Sequence, residues 1–154
     1  MKNSLQFSDT VHIISYIAVY QNTDRLSSKD IAESVQTNPT NVRKIMGNLR
    51  NAGLIKTTNG RADPSIARSV YEISFYDIYQ SLDNKELFHV DTNTEPKCVV
   101  GGNIQEILQD EYAILQATVE EKMKQISLGS VLHQLAASET KKRQENQDIV
   151  AKFL

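Results

Sequence analysis

Between residues 8 and 21 the apolar positions fall on two adjoining faces of a helix, with Val11, Ile14 and Ala18 on one and Ile13, Ile17 and Tyr20 on the other. A helix apolar over so wide an arc is covered by other elements on most sides. Ser8 is placed to cap it, with Phe7 just ahead to pack back on the first turn. After a polar turn at 21–24, the spacing of Ile31, Ala32 and Val35 predicts a short helix over 28–35, opened by Ser27 and Asp30 as a capping box. The next helix has the clearest limits. Asn38 is a good N-cap, Pro39 suits the first helical position, and Gly53 supplies a left-handed residue to end it. Val42, Ile45, Met46 and Leu49 form its inward stripe. Gly47, in mid-helix, costs about 1 kcal/mol relative to alanine, which is explained if another helix approaches there.

Residues 54–57 and 69–73 read as two short strands. The turn-rich, basic stretch 59–64 between them is too long for a tight hairpin and reads as a wing. Phe75, Ile78, Tyr79 and Leu82 predict a short helix over 74–82. The chain is then polar and turn-rich to Gly102. From about 103 to 125 a long helix follows, with Leu108, Tyr112, Leu115, Val119, Met123 and Ile126 spaced like a coiled-coil seam. A last helical piece covers 127–137, and the polar tail from 138 is expected to fray or stay disordered. The expected fold is mainly α with a small β wing. It comprises a winged helix-turn-helix at 1–82, a linker at 83–102, dimerisation helices at 103–137 and a tail at 138–154.

Composition narrows the function. The chain has 154 residues, of which 40% are hydrophobic, and it has no Trp, so the core rests on Ile, Leu and Val. No apolar run reaches the roughly 18–20 residues that span a bilayer. The N-terminus lacks the basic start and cleavage site of a secretory signal, which leads to the expectation of a cytoplasmic protein. One cysteine, Cys98, excludes an intrachain disulfide. The formal net charge of −2 conceals an asymmetry. Residues 38–68 carry Arg43, Lys44, Arg50, Lys56, Arg61 and Arg68 against Asp63 alone, whereas residues 81–154 carry eight basic and twelve acidic side chains. A basic segment in an acidic protein is a footprint for a polyanion.

Two short helices joined by a tight turn, the second well capped and carrying polar and basic side chains, describe a helix-turn-helix. Its second helix fits the major groove of DNA. Asn41 and Arg43 suit base edges, an amide for adenine and a guanidinium for guanine, with Asn38 and Thr40 beside them. Lys44 and Arg50 suit phosphates, Lys56 joins the candidate DNA contacts, and Arg61 and Arg68 on the wing are placed for a minor groove or the flanking backbone. The bland alternatives are a solvated charged face and a winged-helix module that binds protein. A thiol enzyme using Cys98 is remote, since no His or Asp is placed to form a triad.

The segment Asn38-Pro-Thr-Asn-Val-Arg-Lys-Ile-Met-Gly-Asn-Leu-Arg-Asn-Ala-Gly-Leu-Ile-Lys resembles the recognition helix and first wing strand of the Rrf2 family of transcriptional regulators. Ile73-Ser-Phe-Tyr-Asp-Ile-Tyr-Gln-Ser-Leu resembles the helix that follows the family's wing. The resemblance spans most of the chain. It implies a homodimer built on the long helix, bound to a palindromic promoter site and usually repressing, with groove contacts from residues 38–44. Two features depart from the family. Its Gly-Gly-Tyr-type wing is replaced here by Gly60-Arg-Ala-Asp-Pro-Ser-Ile-Ala-Arg, and its cluster-binding members carry three cysteines near the start of the long helix, where this chain has only Cys98. No cofactor is implied.

Cys98 reads either as an inert small residue or as a redox-sensing thiol, with Lys97 and a helix N-terminus favouring its thiolate. His12, His89 and His133 share no metal-ligand spacing. Glu106, Asp110 and Glu111 read as a solvated helix face.

Overall fold

The computed structural model describes residues 2–154, and side chains from Ser4 onward. Helix α1 spans Lys2–Tyr20, α2 Ser28–Val35 and α3 Pro39–Asn51. Strands β1 (Ile55–Lys56) and β2 (Ser65–Ile66) form an antiparallel pair with Ile55 opposite Ile66. Helices α4 (Phe75–Gln80), α5 (Ile104–Met123), α6 (Leu128–Lys142) and α7 (Gln147–Val150) complete the chain, with short 3-10 turns at Val70–Glu72, Gln144–Asn146 and Ala151–Phe153. The protein is a mainly helical winged helix-turn-helix carrying a long helix, as the sequence leads one to expect.

Capping chemistry sets most boundaries. The Ser27 hydroxyl accepts from the Asp30 N–H while the Asp30 carboxylate accepts from the Ser27 N–H, the reciprocal pair that opens α2. Ser74 and Asp77 repeat it on α4. The Asn38 side chain accepts the Asn41 N–H at 2.8 Å to start α3, and Gly53 leaves it at φ +75°. Helix α1 starts earlier than Ser8 suggests. Phe7 is a residue within the helix, its ring meeting Phe75 edge-on at 5.5 Å and Tyr79 at 6.1 Å. That contact with α4 holds the extra turns in place and leaves Ser8 an exposed helical position rather than a cap.

The core forms around α1. Ile13, Ile14, Ile17 and Ala18 are completely buried. They pack with Ile31 of α2, Val42, Ile45 and Leu49 of α3, and Leu128, Leu132 and Ala136 of α6. Here the expected domain limits change. Helix α6 packs into the core of the winged helix rather than continuing α5, and it runs on to Lys142. The tail is folded, with Val150 and Phe153 joining the core. The Lys152 ammonium donates to the Val19 carbonyl at 3.1 Å. Glu139 clasps Arg143 at 2.7 and 2.8 Å and accepts from Asn146, which ties α6 to the turn before α7. Those bonds hold the Glu139 carboxyl down at about 2. The physical reason is α1 itself: α2 and α3 cannot cover so wide an apolar arc alone.

The second strand also lies earlier than expected. Residues 69–73 form the 3-10 turn and its flanks, and an isolated bridge joins Ser74 to Ser127, with the Leu128 N–H donating to the Ile73 carbonyl at 2.7 Å. Gly47 has open space around it, so no helix approaches there. The segment 83–102 lacks regular helix or strand but is not a free spacer. Gln116 of α5 accepts from the Leu87 N–H and donates to the Lys85 carbonyl, and Phe88 packs on Tyr112 at 5.5 Å.

Phe153→Ala should destabilise the protein by about 3 kcal/mol, the usual cost of emptying a buried aromatic site, read as a lower urea midpoint. An unchanged midpoint would mean that the tail contributes nothing to the fold.

Candidate nucleic-acid interface

Helix α3 turns Val42, Ile45 and Leu49 inward, so Thr40, Arg43, Lys44, Gly47 and Asn51 share the opposite face. Thr40, Arg43, Lys44 and Asn51 are exposed. Gly47 sits in the middle of this outer stripe, where the missing side chain brings the helix surface inward. Arg43 is held by its own surroundings. Its guanidinium donates to the Ser28 hydroxyl at 3.1 Å and lies 3.4 Å from the Thr40 hydroxyl. Asn41 is half-buried, and its amide donates to the Thr37 hydroxyl at 3.1 Å. Asn38 is exposed but has its side-chain oxygen committed to the cap.

The wing extends from Lys56 to Ser65, with its turn at Thr58–Arg61 closed by the Arg61 N–H on the Thr58 carbonyl and by Gly60 at φ +74°. A groove of about 290 Å³ runs between α3 and the wing, lined by Ser28, Arg43, Met46, Gly60 and Arg61 among others. The fold thus brings Arg43 and Arg61, 18 positions apart in sequence, to the two walls of one groove. Arg50 and Lys56 are exposed at the far end of α3 and on β1. Arg68 differs from expectation: it lies beyond β2 and pairs with Asp77 of α4 at 3.1 Å, away from the wing's turn.

One participant was not visible in the sequence pattern. Asp83, where α4 gives way to the 83–102 segment, pairs with Lys44 at 3.0 Å and accepts from the Asn48 amide at 3.2 Å. The Lys44 ammonium beside it holds the Asp83 carboxyl below its ordinary range. A lysine thought of as a phosphate ligand therefore already has an anionic partner. No sequence spacing signals a contact across 39 positions.

The coiled-coil-like seam of α5 divides. Val119 and Met123 pack on Tyr79 and Leu82 of their own chain, and Tyr112 packs on Phe88. Leu115 is 46% exposed and Leu108 half-buried; beside them Ile107 and Ile114 are 54% and 62% exposed. The face of α5 that remains open is therefore Ile107, Leu108, Ile114 and Leu115.

Cys98 is exposed in the turn before α5. Hydrogen bonds from the Gly101 and Val100 backbone N–H groups lower its thiol pKa, a cause different from the Lys97 charge expected from sequence. A Cβ at Gly101 would stand 2.5 Å from the Glu95 carbonyl oxygen, so the turn closes this tightly only with glycine there.

A helix-turn-helix with a basic outer face and a wing arginine across a groove is the architecture of DNA-binding transcription regulators. Residues 3–134 match the model of the Rrf2 family, described as an iron-dependent transcriptional regulator, and the chain belongs to that family. It is 33% identical over 126 residues to YwnA of Bacillus subtilis, named as an HTH-type transcriptional regulator, covering 81% of this chain and 92% of that protein. Among solved structures, a DNA-binding protein 28% identical superposes with TM-score 0.66, covering 82% of this chain and 98% of the other. A transcriptional regulator from Lactobacillus plantarum, 19% identical, gives 0.70 over 94% and 98%. The chain is thus a transcriptional regulator rather than an enzyme. Its donor set does not fit an iron–sulfur cluster held by three thiolates, because Cys98 is its only cysteine, and no group of three His, Cys, Asp or Glu among the described residues could hold a metal. Among the described residues no helix is long and apolar enough to cross a membrane.

Alkylation of Cys98 by iodoacetamide, followed against pH, should show a midpoint below that of free cysteine. A midpoint at or above the free value would mean that the Val100 and Gly101 N–H groups do not support the thiolate.

Proposed function

We propose that the protein is a homodimeric repressor that occupies a palindromic operator in the cytoplasm through the outer face of α3 and the wing. The observation that carries this reading is the groove between α3 and the wing, which Arg43 and Arg61 both line. Arg43, with Thr40 and Asn41, addresses base edges at the N-terminal end of α3. Lys44, Arg50, Lys56 and Arg61 neutralise phosphates, which position the protein without reading sequence. Gly47 lets the middle of the helix sit deep in the groove. Arg68, engaged by Asp77, has a smaller part than the sequence suggests. The open face of α5, with Ile107, Leu108, Ile114 and Leu115, is the surface a second copy would cover. Two-fold symmetry then sets half-site centres about 34–36 Å apart, or a multiple of it.

Gel shifts against the protein's own upstream region test the DNA reading. Arg43→Ala should cost roughly 1–3 kcal/mol and relax sequence choice, whereas Lys44→Ala should weaken all sequences and reduce the salt slope by about 1. Asp83→Asn should do the opposite of Lys44→Ala, strengthening binding to all sequences at low salt, because it frees the lysine from a competing carboxylate. Gly47→Ala should stabilise the fold by about 1 kcal/mol yet weaken operator binding. No preference for any DNA over competitor would favour the alternative, a winged helix that binds protein.

Assembly is tested by light scattering. Leu115→Asp should give a folded monomer with weaker operator binding, since bivalency is lost. Met123→Asp should unfold the chain instead, because Met123 is buried within it. A dimeric Leu115→Asp variant would remove this face from the interface.

A redox response through Cys98 is favoured by its exposure and by the N–H groups directed at its sulfur. The thiolate would attack hydrogen peroxide, forming a sulfur–oxygen bond as the O–O bond breaks and hydroxide leaves, to give a sulfenic acid. Peroxide should then lower operator affinity in the wild type and leave Cys98→Ser unchanged. Equal losses in both would exclude the thiol.

A further inference from the structure

Half of the residues around one cavity lie outside the segment that matches the family. The cavity, of about 340 Å³, opens between α1 and α2 on one side and the chain from α6 to α7 on the other. The family match ends at residue 134, and Leu135, Glu139, Arg143, Asn146, Ile149 and Val150 close the second wall. The volume falls in the range of small-molecule sites, roughly 300–1,000 Å³.

The lining defines a chemistry. Tyr16 and Tyr20 stand with ring centroids 4.6 Å apart, and the Tyr16 hydroxyl is anchored on the Arg25 carbonyl at 2.9 Å, so an aromatic surface is held in place. Val19, Leu135 and Ile149 supply aliphatic contact. Glu139 and Arg143, the carboxylate and the guanidinium of the lining, are bonded to each other, so their charges balance. Ser15 also lines the cavity, is 7% exposed, and its hydroxyl oxygen is buried without a hydrogen-bond partner. A buried hydroxyl without a partner is costly. A ligand oxygen met by rotation about the Ser15 Cα–Cβ bond would supply that partner.

We propose that this cavity binds an uncharged aromatic molecule of one or two rings bearing a hydroxyl or carbonyl oxygen, and that the ligand acts as an effector. The rings lie against Tyr16, Tyr20 and the aliphatic wall, and the oxygen meets Ser15. Coupling to DNA follows from one bond: His12 Nε2 of α1 lies 2.9 Å from the Ser34 hydroxyl of α2, and both residues line the cavity. Helix α2 packs on α3 and supplies Ser28 to Arg43, so displacing α2 alters the reading face. This regulatory half rests on the DNA-binding reading above; the site itself does not.

The probe is 2-naphthol, titrated calorimetrically into the full chain, with naphthalene-2-sulfonate as the charged comparison. The expected result is saturable binding at one molecule per chain, with the sulfonate at least tenfold weaker. Ile149→Trp, at a rim position 38% exposed, should fill the cavity and weaken 2-naphthol at least tenfold while circular dichroism stays unchanged. Leu135→Trp, equally exposed, serves if that variant does not fold. Ser15→Ala should bind several-fold more weakly, and equal affinity would overturn the anchoring role of Ser15. Absence of saturable binding, or equal binding by wild type and the tryptophan variant, would overturn the site. In gel shifts 2-naphthol should lower operator affinity several-fold in the wild type only. Calorimetric binding without that change would overturn the effector role. If no DNA binds in any condition, the DNA reading fails and calorimetry still decides the site.

Discussion

The structure depends on burying a first helix that is apolar on two adjoining faces. Ile13, Ile14, Ile17 and Ala18 are all shielded completely, and each large side chain so buried contributes about 1.5–3 kcal/mol. One flank alone cannot do this. Helices α2 and α3 cover one side; α6 with the Val150–Phe153 stretch covers the other. The N-terminal helix is thereby a central pillar, and the C-terminal residues belong to the domain's core rather than to an appendage.

The outer face of α3, proposed above to read DNA, inherits its placement from that pillar. Helix α3 is positioned by its inward Val42, Ile45 and Leu49, and its start is set by the Asn38 cap, so the direction of its outer side chains is decided before any partner arrives. The same packing places Ser28 beneath Arg43 and brings Arg61 of the wing to the facing wall. Asp83 adds a restraint of another kind. By pairing with Lys44 it attaches the start of the 83–102 segment to α3, and that segment in turn lies along α5 through Gln116 and Tyr112. The outer face of α3, the start of the 83–102 segment and the long helix are thus joined by a series of contacts. The contact at Lys44 is exposed and screened by salt, so it can break without disturbing the core.

Helix α5 illustrates how one periodic stripe serves two surfaces. Its apolar positions recur every three or four residues, which predicts one seam. In the fold the stripe is wide enough for Val119 and Met123 to turn toward α4 while Leu108 and Leu115 remain open beside Ile107 and Ile114. Periodicity shows that a helix has a face to bury; it does not show whether the covering surface belongs to its own chain or to another.

Local structure was legible in the amino-acid pattern. Capping pairs such as Ser27–Asp30, the Asn38–Pro39 start and Gly53 end of α3, the α4 pattern and the length of α5 all act over a few residues, where backbone hydrogen bonds and side-chain spacing suffice. The pattern also located the basic stretch 38–68 and the family resemblance that goes with it. Packing between distant segments set what those short-range terms leave open. The start of α1 moved upstream because Phe7 meets Phe75 and Tyr79. The second wing strand fell at Ser65–Ile66, and Gly47 faced outward instead of receiving a helix. The charged tail folded because residues 149–154 are apolar at every position but Lys152, and the core around α1 took up Val150 and Phe153. That small cluster was the available signal, but the surrounding charge outweighs it in any local average. A contact between residues far apart in sequence, such as Lys44 with Asp83 or Lys152 with the Val19 carbonyl, depends on loop paths and packing that no local pattern encodes.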